Sequence, residues 1–438
     1  MVRKQQEKGF SFTQEMVLNS KTTPPVLRNY RTEAWQAYQD LPFPTNKDEA
    51  WRRTSLRDLD FGAMQLSTLD QGDGIKLTKK FGVISEDLLN ERSSAVLSPH
   101  GVEISLSKKL RDSGVIFSSL QDAAENHPDL VEKILGKVIS PSEGKFAAAT
   151  GALATQGIFI YVPKGIEIEE PLLGIAFAGR EGTANFFQTL IYLEESSSLN
   201  YIQETLSPYD QNNLSLNGEN LEIFVGMNAR LKITELQTYG ENVWSFGHKK
   251  ALVERDGNLE WEIGALGSAL SKHFVSVDLV GQGAEARVSG MFFADNDQHL
   301  SYNTLQRHLA PRTTSDLLFK GALNGSSRSV WRGMIYVAPG ARHIDGYQAN
   351  RNLVLDPDAR SDSIPGLEIL NNDVRCTHGS TVGKIDQEQL FYLLSRGIPR
   401  KEAEQLVIQG FFEDILSRFS LQVIGEELWK NIRTRLLA

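Results

Sequence analysis

The fold of this chain is decided by a set of similar stretches, SSSLNYIQ (196–203), MNARLKIT (227–234), DGNLEWEI (256–263) and GAEARVSG (283–290). Each begins with a turn of small or polar residues and continues with alternating apolar side chains, which is the pattern of a β-strand. Aligning them at Ser198, Asn228, Asn258 and Ala284 gives steps of 30, 30 and 26 residues, a spacing typical of repeat architectures. Because no helical period lies between the units, a parallel α/β fold with crossover helices is disfavoured. We therefore predict a β-helix; a β-sandwich is the alternative that turn spacing alone leaves open.

The chain before this region is predicted to form a helical and mixed domain that spans residues 1–155. Apolar spacing and capping residues place short helices at 32–39, 119–125, 128–136 and 145–155, and alternation predicts a β-hairpin over 101–118. The segment KDEAWRRTSLRDLDF (47–61) supplies the expected buried anchors Trp51, Leu56 and Leu59.

The β-helix core is assigned to residues 156–378, and a second helical domain to 379–438. Asp386 is positioned to cap a helix, with Gln389 three residues later as its capping-box partner. Gly397 ends this helix, and Pro399 begins the next. One apolar face of that next helix includes Leu406, Val407, Phe411 and Ile415. Helical spacing alone favours packing of this face on the end of the β-helix over binding of a partner.

Composition limits the classes of function. The 438 residues are 40% hydrophobic and 23% charged, as in a soluble globular protein, and the net charge is −9. An acidic chain without a long basic run is a poor candidate for binding nucleic acid or an anionic membrane. No stretch approaches the roughly 20 apolar residues of a membrane span, and a single cysteine excludes an internal disulfide. We expect a cytoplasmic protein, or one of the plastid stroma if an organellar form is processed.

Chemistry points to the stretch NNDVRCTHGSTVGKID (371–386), which holds the only cysteine, Cys376, two residues before His378. Residues at i and i+2 of a strand share a face, so His378 could activate the thiol, and Arg375 could favour the thiolate. A lone cysteine is more often a small buried hydrophobe. As metal ligands, Cys376 and His378 are two where a tetrahedral site needs four, so a metal would have to be shared with another subunit. His299 and His308 are the remaining histidines with a weak case as ligands.

Nucleotide-binding motifs are not found in the sequence. The stretch GSTVGK (379–384) has too few residues between its glycines for a phosphate-binding loop, and Ile385 stands where Ser or Thr would bind magnesium. The chain is therefore not expected to hydrolyse ATP itself.

Two adjoining segments resemble a known family. RGMIYVAPGARHIDGYQANRNLVLDPDARSDSIPGLEIL (332–370) and NNDVRCTHGSTVGKIDQEQLFYLLSRGIPRKEAEQLVIQGFFEDIL (371–416) closely resemble the SufB/SufD family of iron–sulfur cluster assembly proteins. The form VRCTHGSTVGKID is similar to the SufD branch. The resemblance implies a mainly β protein, with a right-handed parallel β-helix between N-terminal and C-terminal helical domains.

The resemblance also implies partners and site residues. It implies a non-catalytic scaffold in a complex with SufB, which meets the end of the β-helix, and with SufC, an ABC-type ATPase. SufC would dock on the C-terminal helices, here through Leu406, Val407, Phe411 and Ile415. His378 matches the residue implicated in assembling a nascent cluster with a SufB cysteine, and Cys376 matches a family cysteine. The isolated chain, which could form a homodimer, would hold no stable cofactor; a transient iron–sulfur cluster would be shared with SufB.

A different class of function is a free-standing β-helix enzyme that acts on polysaccharide. Such an enzyme would need acidic residues along one strand face. Asp316, Asp345 and Asp356 are the candidates that the sequence offers.

Overall fold

The computed structural model describes residues 9–18, 23–67, 82–98, 101–207, 214–419 and 421–437. The helices are α1 (Gln14–Leu18), α2 (Pro25–Asp40), α3 (Glu86–Glu91), α4 (Lys108–Asp112), α5 (Leu120–Asn126), α6 (Pro128–Ile134), α7 (Lys145–Leu153), α8 (Gln387–Ser395), α9 (Arg400–Leu416) and α10 (Gln422–Leu437). The strands are β1 (Gln65–Leu66), β2 (Ser94–Ser98), β3 (Gly101–Ser105), β4 (Ile116–Ser119), β5 (Gln156–Val162), β6 (Leu172–Phe177), β7 (Thr183–Leu193), β8 (Ser198–Leu206), β9 (Ser215–Val225), β10 (Arg230–Thr238), β11 (Val243–Val253), β12 (Asn258–Ala265), β13 (Leu270–Leu279), β14 (Glu285–Ala294), β15 (His299–His308), β16 (Thr314–Leu323), β17 (Arg328–Val337), β18 (Ile344–Val354), β19 (Arg360–Ile369) and β20 (Val374–Gly383).

From β5 onward the chain alternates between two parallel sheets. The odd sheet has the order β19-β17-β15-β13-β11-β9-β7-β5-β4, and the even sheet β20-β18-β16-β14-β12-β10-β8-β6-β2-β3. Each coil contributes one strand to each sheet, so the backbone hydrogen bonds run from coil to coil over about eight turns. The predicted parallel β-helix is confirmed, and the β-sandwich alternative is wrong.

The repeat in the sequence corresponds to a repeated corner of the solenoid. In the seven connections from β5–β6 to β17–β18, between an odd strand and the even strand that follows, one residue has a positive φ, and these residues are Gly165, Ser196, Asn228, Asp256, Gly283, Arg312 and His343. Their backbone N–H groups bond to the same corner of the next coil, as in Ser196 to Met227 and His343 to Asp373. Small and polar residues recur there because the left-handed conformation disfavours branched side chains. In the structure Ser198 pairs with Arg230. The sequence alignment, which matched Ser198 with Asn228, was therefore shifted by two residues.

Helices cover the outer faces of the two sheets. On the odd sheet, α2 and α7 bury an aromatic cluster in which Trp51 and Phe246 stack against Phe146. On the even sheet, α9 and α10 pack on the strands through Phe412 and Leu428. The fold thus covers both lateral faces, and only the ends of the solenoid remain to be closed.

Within the N-terminal domain, the helices predicted near 119–125, 128–136 and 145–155 are confirmed as α5, α6 and α7. Helix α2 is longer than predicted because Pro25 begins it in the first turn. Trp51 and Leu59 are buried as expected, but Leu56 is only half-buried.

The predicted hairpin over 101–118 is wrong. Ser107 caps α4, which separates the two strands and sends them to different sheets. Strand β3 pairs with β2, and β4 pairs with β5, both antiparallel.

Buried carboxylates fasten the N-terminal domain to the solenoid. The Glu222 carboxylate accepts hydrogen bonds from the backbone N–H groups of Gly136, Val138 and Ile139 at 3.0–3.1 Å, and from Gln188 Nε2 at 2.9 Å. Glu204 accepts similar bonds from Val83 and Ile84. These N–H groups would otherwise be buried without acceptors, which makes the two glutamates structural anchors.

We predict that Glu222→Leu destabilises the protein by at least about 3 kcal/mol, because it leaves three backbone donors without an acceptor at a cost of roughly 1–3 kcal/mol each. Glu222→Gln keeps one acceptor oxygen and should cost less. Chemical denaturation at fixed pH measures both variants. Equal stability of Glu222→Leu and the unaltered protein would contradict the anchoring role.

A second prediction concerns His308, a buried imidazole at the end of β15. Its ring nitrogens contact the hydroxyl groups of Thr313 and Ser315 at 2.7 and 2.8 Å, and burial lowers its pKa to about 4. Since the unfolded chain binds the proton near pH 6.5, this group contributes stability above that pH and loses it as the pH falls towards 4. Through His308, the unaltered protein should lose on the order of 3 kcal/mol of unfolding free energy as the pH falls. The His308→Gln variant should lack this loss.

The measurement is the difference in unfolding free energy between the His308→Gln variant and the unaltered protein from pH 7 to pH 4. Taking the difference cancels groups that titrate alike in both proteins. The exposed His127 provides the matched control as His127→Gln. A pH-independent difference for His308→Gln would refute the assignment.

Candidate functional site

Strand β20 carries Cys376 and His378 and is the last strand of the even sheet. It pairs with β18 on one side only, with Cys376 level with Gly346 and His378 level with Gln348. The two side chains lie on the same face of the strand, as their i, i+2 spacing predicted. The strand runs on to Gly383, past residue 378 where the sequence placed the end of the core.

Cys376 lies over the interior of the last coil, half-buried against a small apolar cluster that includes Ile335 and Ile344. A Cβ at Gly346 would lie 3.2 Å from the Cys376 Sγ and 3.3 Å from the His308 Nε2. The thiol and the buried imidazole therefore converge on one glycine. The sequence did not reveal this arrangement, because His308 is distant along the chain and lies in the other sheet.

The expectation that Arg375 favours the thiolate is not met. The Arg375 guanidinium is exposed and lies 3.9 Å from the Asp345 carboxylate. Burial raises the pKa of the Cys376 thiol, a hydrogen bond from the Gly346 backbone lowers it, and Asp345 raises it further, with a net upward shift. A protonated, half-buried thiol is a poor nucleophile.

His378 is exposed, although it faces the same side as Cys376. The reason is its position, because no further coil covers β20 in the part of the chain that the structure describes. Across the described ranges, no group of three or more His, Cys, Asp or Glu side chains is arranged to hold a metal ion. His299 and His308, the other histidines considered as ligands, stand at opposite ends of β15 and contact hydroxyl groups instead.

The sheets end in an open edge around this strand. Strands β19 and β20 end the two sheets, so their outward N–H and C=O groups have no strand partner in the described part of the chain. The neighbouring exposed apolar side chains are Leu367, Ile369, Leu370 and Val382. An open edge with apolar side chains is a template for pairing with another chain.

A second surface lies between α8 and α9. These helices and the chain before them form an open groove of about 970 Å³, whose apolar lining includes Tyr392, Leu393, Leu406, Val407 and Phe411. The side chain of Leu406 is 43% exposed, while Val407 and Phe411 are half-buried.

Ile415 differs from the other predicted docking residues. It is wholly buried, because α9 turns this side towards the even sheet together with Ile408 and Phe412. We therefore exclude Ile415 from the docking surface. Phe391, which was not predicted as a site residue, is 72% exposed and directly precedes the groove residue Tyr392 in α8. The run LFYLL (390–394) could have indicated this exposure, because Phe391 and Tyr392 cannot both share the buried face of the helix with Leu390.

The three aspartates of the polysaccharide hypothesis lie on two neighbouring strands and in a turn. Asp316 is level with Tyr347, while Asp345 is level with Thr314 and lies near Arg375. Asp356 belongs to a turn beyond β18, where its carboxylate accepts a bond from the Gly325 N–H.

No helix in the described ranges is long and apolar enough to cross a membrane.

Comparisons with known proteins cover nearly the whole chain. Residues 176–411 match the family described as "SUF system FeS cluster assembly, SufBD core domain", and residues 4–173 match the "SufBD protein N-terminal region". An iron–sulfur cluster assembly SufBD family protein of Staphylococcus saprophyticus is 29% identical over 422 residues, which cover 94% of this chain and 89% of the relative. One from Staphylococcus aureus (strain MRSA252) is 31% identical over 321 residues, 73% of this chain and 69% of that protein. The family-model matches span more than half of the sequence, and the chain belongs to the SufBD family of iron–sulfur cluster assembly proteins.

Proposed function

We propose that this chain is a non-catalytic scaffold subunit of a SufBCD-type complex and corresponds to its SufD subunit. The observation that carries the proposal is the open edge of the solenoid, which brings His378 and Cys376 to a surface with unpaired backbone groups. A SufB subunit that pairs with this edge would cover His378 and could supply the thiolates that this chain lacks. A homodimer formed by the isolated chain would use the same edge.

The chemistry of the proposed site is shared between subunits. One imidazole nitrogen of His378 is available as a ligand, while the second can be held by a hydrogen bond. A nascent iron–sulfur cluster, which is the cargo of the complex and not a resident cofactor, would be held there transiently. The isolated chain is proposed to bind no stable cluster, because such clusters normally require about four thiolates or equivalent ligands. We place this work in the cytoplasm, or in the plastid stroma for an organellar form.

The groove between α8 and α9 is the proposed dock for SufC. It is open, apolar and adjacent to exposed Phe391, and it contains three of the residues predicted for this role, Leu406, Val407 and Phe411. The ATPase activity is assigned to that partner and not to this chain.

We predict that Leu406→Asp lowers the affinity for SufC at least about tenfold, because a charge would be buried against the partner without a counter-ion. The fold should be unaffected, since Leu406 is 43% exposed in the free chain. Pull-down and calorimetric titration with SufC measure the affinity, and thermal unfolding measures the stability.

The matched control is Val423→Asp on α10, an apolar residue with 48% exposure that does not line the groove. It should leave SufC affinity unchanged. Unaltered binding by Leu406→Asp, or an equal loss in Val423→Asp, would refute the dock. Deletion of α9 is a poorer test, because it would uncover Ile408, Phe412 and Ile415.

The His378 prediction tests the shared site. His378→Ala should reduce cluster assembly by the purified complex about tenfold or more, because a potential ligand is lost at the interface. Cys376→Ala should have a milder effect, since its half-buried thiol packs on the last coil. The readouts are cluster transfer to an apo-acceptor and the amount of complex formed.

Thr377→Ala is the control, because Thr377 lies between these residues on the opposite face of β20. Normal cluster transfer by His378→Ala would reject the role. A loss of transfer that is fully explained by failed assembly with SufB would reject it as well.

A further inference from the structure

A basic cleft separates the N-terminal domain from the outer face of the odd sheet. Its volume is about 570 Å³, within the range of small-molecule sites. One wall is formed by residues 43–57 and the other by the first residues of β15, β17 and β19. Five arginines line it, namely Arg52, Arg53, Arg57, Arg328 and Arg360. This concentration of positive charge is unexpected in a chain with a net charge of −9.

Three of the basic side chains are stacked by the solenoid itself. His299, Arg328 and Arg360 are in register on successive strands of the odd sheet. Neighbouring strands are about 4.8 Å apart, and like charges at matched positions repel each other. The fold therefore brings the two arginines together at an energetic cost that a bound anion would offset.

The acidic groups in the cleft are too few to balance these charges. Among the described residues that line the cleft, Asp362 is the one carboxylate, and it lies 3.0 Å from Arg360 and 3.9 Å from Arg53. In the part of the chain that the structure describes, Arg57 and Arg328 make no ion pair with a carboxylate. The cleft thus keeps at least two uncompensated guanidinium groups.

The base of the cleft adds hydrogen-bonding groups and a further amine. Buried Thr54 lies there with its Oγ1 3.4 Å from the His299 Nε2, and burial lowers the pKa of His299 to about 4, so this imidazole is neutral at physiological pH. Lys272 is buried nearby, where its amine bonds to the Ala50 carbonyl and to Ser301 Oγ at 3.0 Å and lies over the Trp51 ring. Burial lowers the pKa of Lys272 to about 7, so at physiological pH it adds only part of a positive charge to those of the arginines.

We propose that this cleft binds a small, multiply charged phosphate compound, such as a diphosphate or a nucleoside diphosphate. Planar guanidinium forks match phosphate oxygens in pairs, and several of them around a small volume favour a ligand with more than one negative charge. Apolar side chains in the wall, including Phe43 and Val330, provide a contact for an organic group attached to the phosphates. Through Arg360 and Asp362 the cleft shares strand β19 with the open edge, whereas no residue of α8 or α9 lines it.

The test is calorimetric titration of the full chain with pyrophosphate, and separately with a nucleoside diphosphate, in a phosphate-free buffer of low ionic strength. Saturable binding at one site per chain is expected, with an affinity that falls as sodium chloride is added. Equal affinities for the two probes would assign the binding to the phosphates alone. Tighter binding of the nucleoside diphosphate would add a contribution from the apolar wall.

The variants are Arg328→Gln and Arg57→Gln, each expected to raise the Kd for pyrophosphate about tenfold or more. Neutralising either residue leaves no carboxylate of the described chain without its partner, so the thermal unfolding midpoint should not fall, and in Arg328→Gln it should rise slightly because the repulsion with Arg360 is removed. Arg230→Gln is the matched control, because Arg230 is likewise an exposed first residue of a strand, but in the even sheet. It should leave the Kd unchanged.

Three outcomes would overturn the proposal. They are the absence of saturable binding by either probe, an equal loss of affinity in Arg230→Gln, and binding of an acidic peptide without binding of pyrophosphate. Without saturable binding, the arginines would be a solvated surface. An equal loss in Arg230→Gln would show a general effect of charge, and binding of the acidic peptide alone would make the cleft a protein-docking site.

Discussion

The constraint on which this structure depends is that a parallel solenoid cannot satisfy its own last coil. Every coil from β5 onward bonds to the one before it and offers the same groups to the next. At the N-terminal end the parallel strands are followed by short antiparallel ones, since β3 lies beyond β2 and β4 lies beyond β5. At the other end the described chain has no strand beyond the ten-residue parallel strands β19 and β20. The two ends of the solenoid thus differ, and the long parallel edge lies at the C-terminal one.

The same constraint explains the different environments of Cys376 and His378. In an inner coil both side chains would be covered by the next strand, as Gln348 is beneath His378. In the last coil, Cys376 still packs on Ile335 and Ile344, while His378 extends into solvent. A partner strand at this edge would bury the imidazole without any rearrangement of the solenoid. The proposed ligand role of His378 and the proposed assembly surface would therefore both follow from one open sheet edge.

Much of this architecture could be predicted from the sequence because it depends on short periods. Alternating apolar residues and left-handed corners recur in each coil, and Asp386 accepts the hydrogen bonds of a helix cap, as predicted. Contacts between distant positions were not predictable. Lys249 and Glu219 are buried, although any rule based on hydrophobicity would place them on the surface. They lie 2.8 Å apart, and only this mutual pairing permits their burial. The convergence of His308 and Cys376 on Gly346 depends likewise on how two sheets meet.

The two proposed partner surfaces are joined by very little chain. Strand β20 ends at Gly383 and α8 begins at Gln387, so the residues between them connect the strand of His378 to the groove. Lys384 and Asp386 line that groove themselves, and Asp386 caps α8 through the N–H groups of Glu388 and Gln389. Lys320 bonds to the Phe411 carbonyl and pairs with Asp414 at 2.5 Å, which fixes α9 to β16. Of the two groove walls, α8 is therefore the one that is joined directly to the strand of His378, while α9 is held by the sheet behind it.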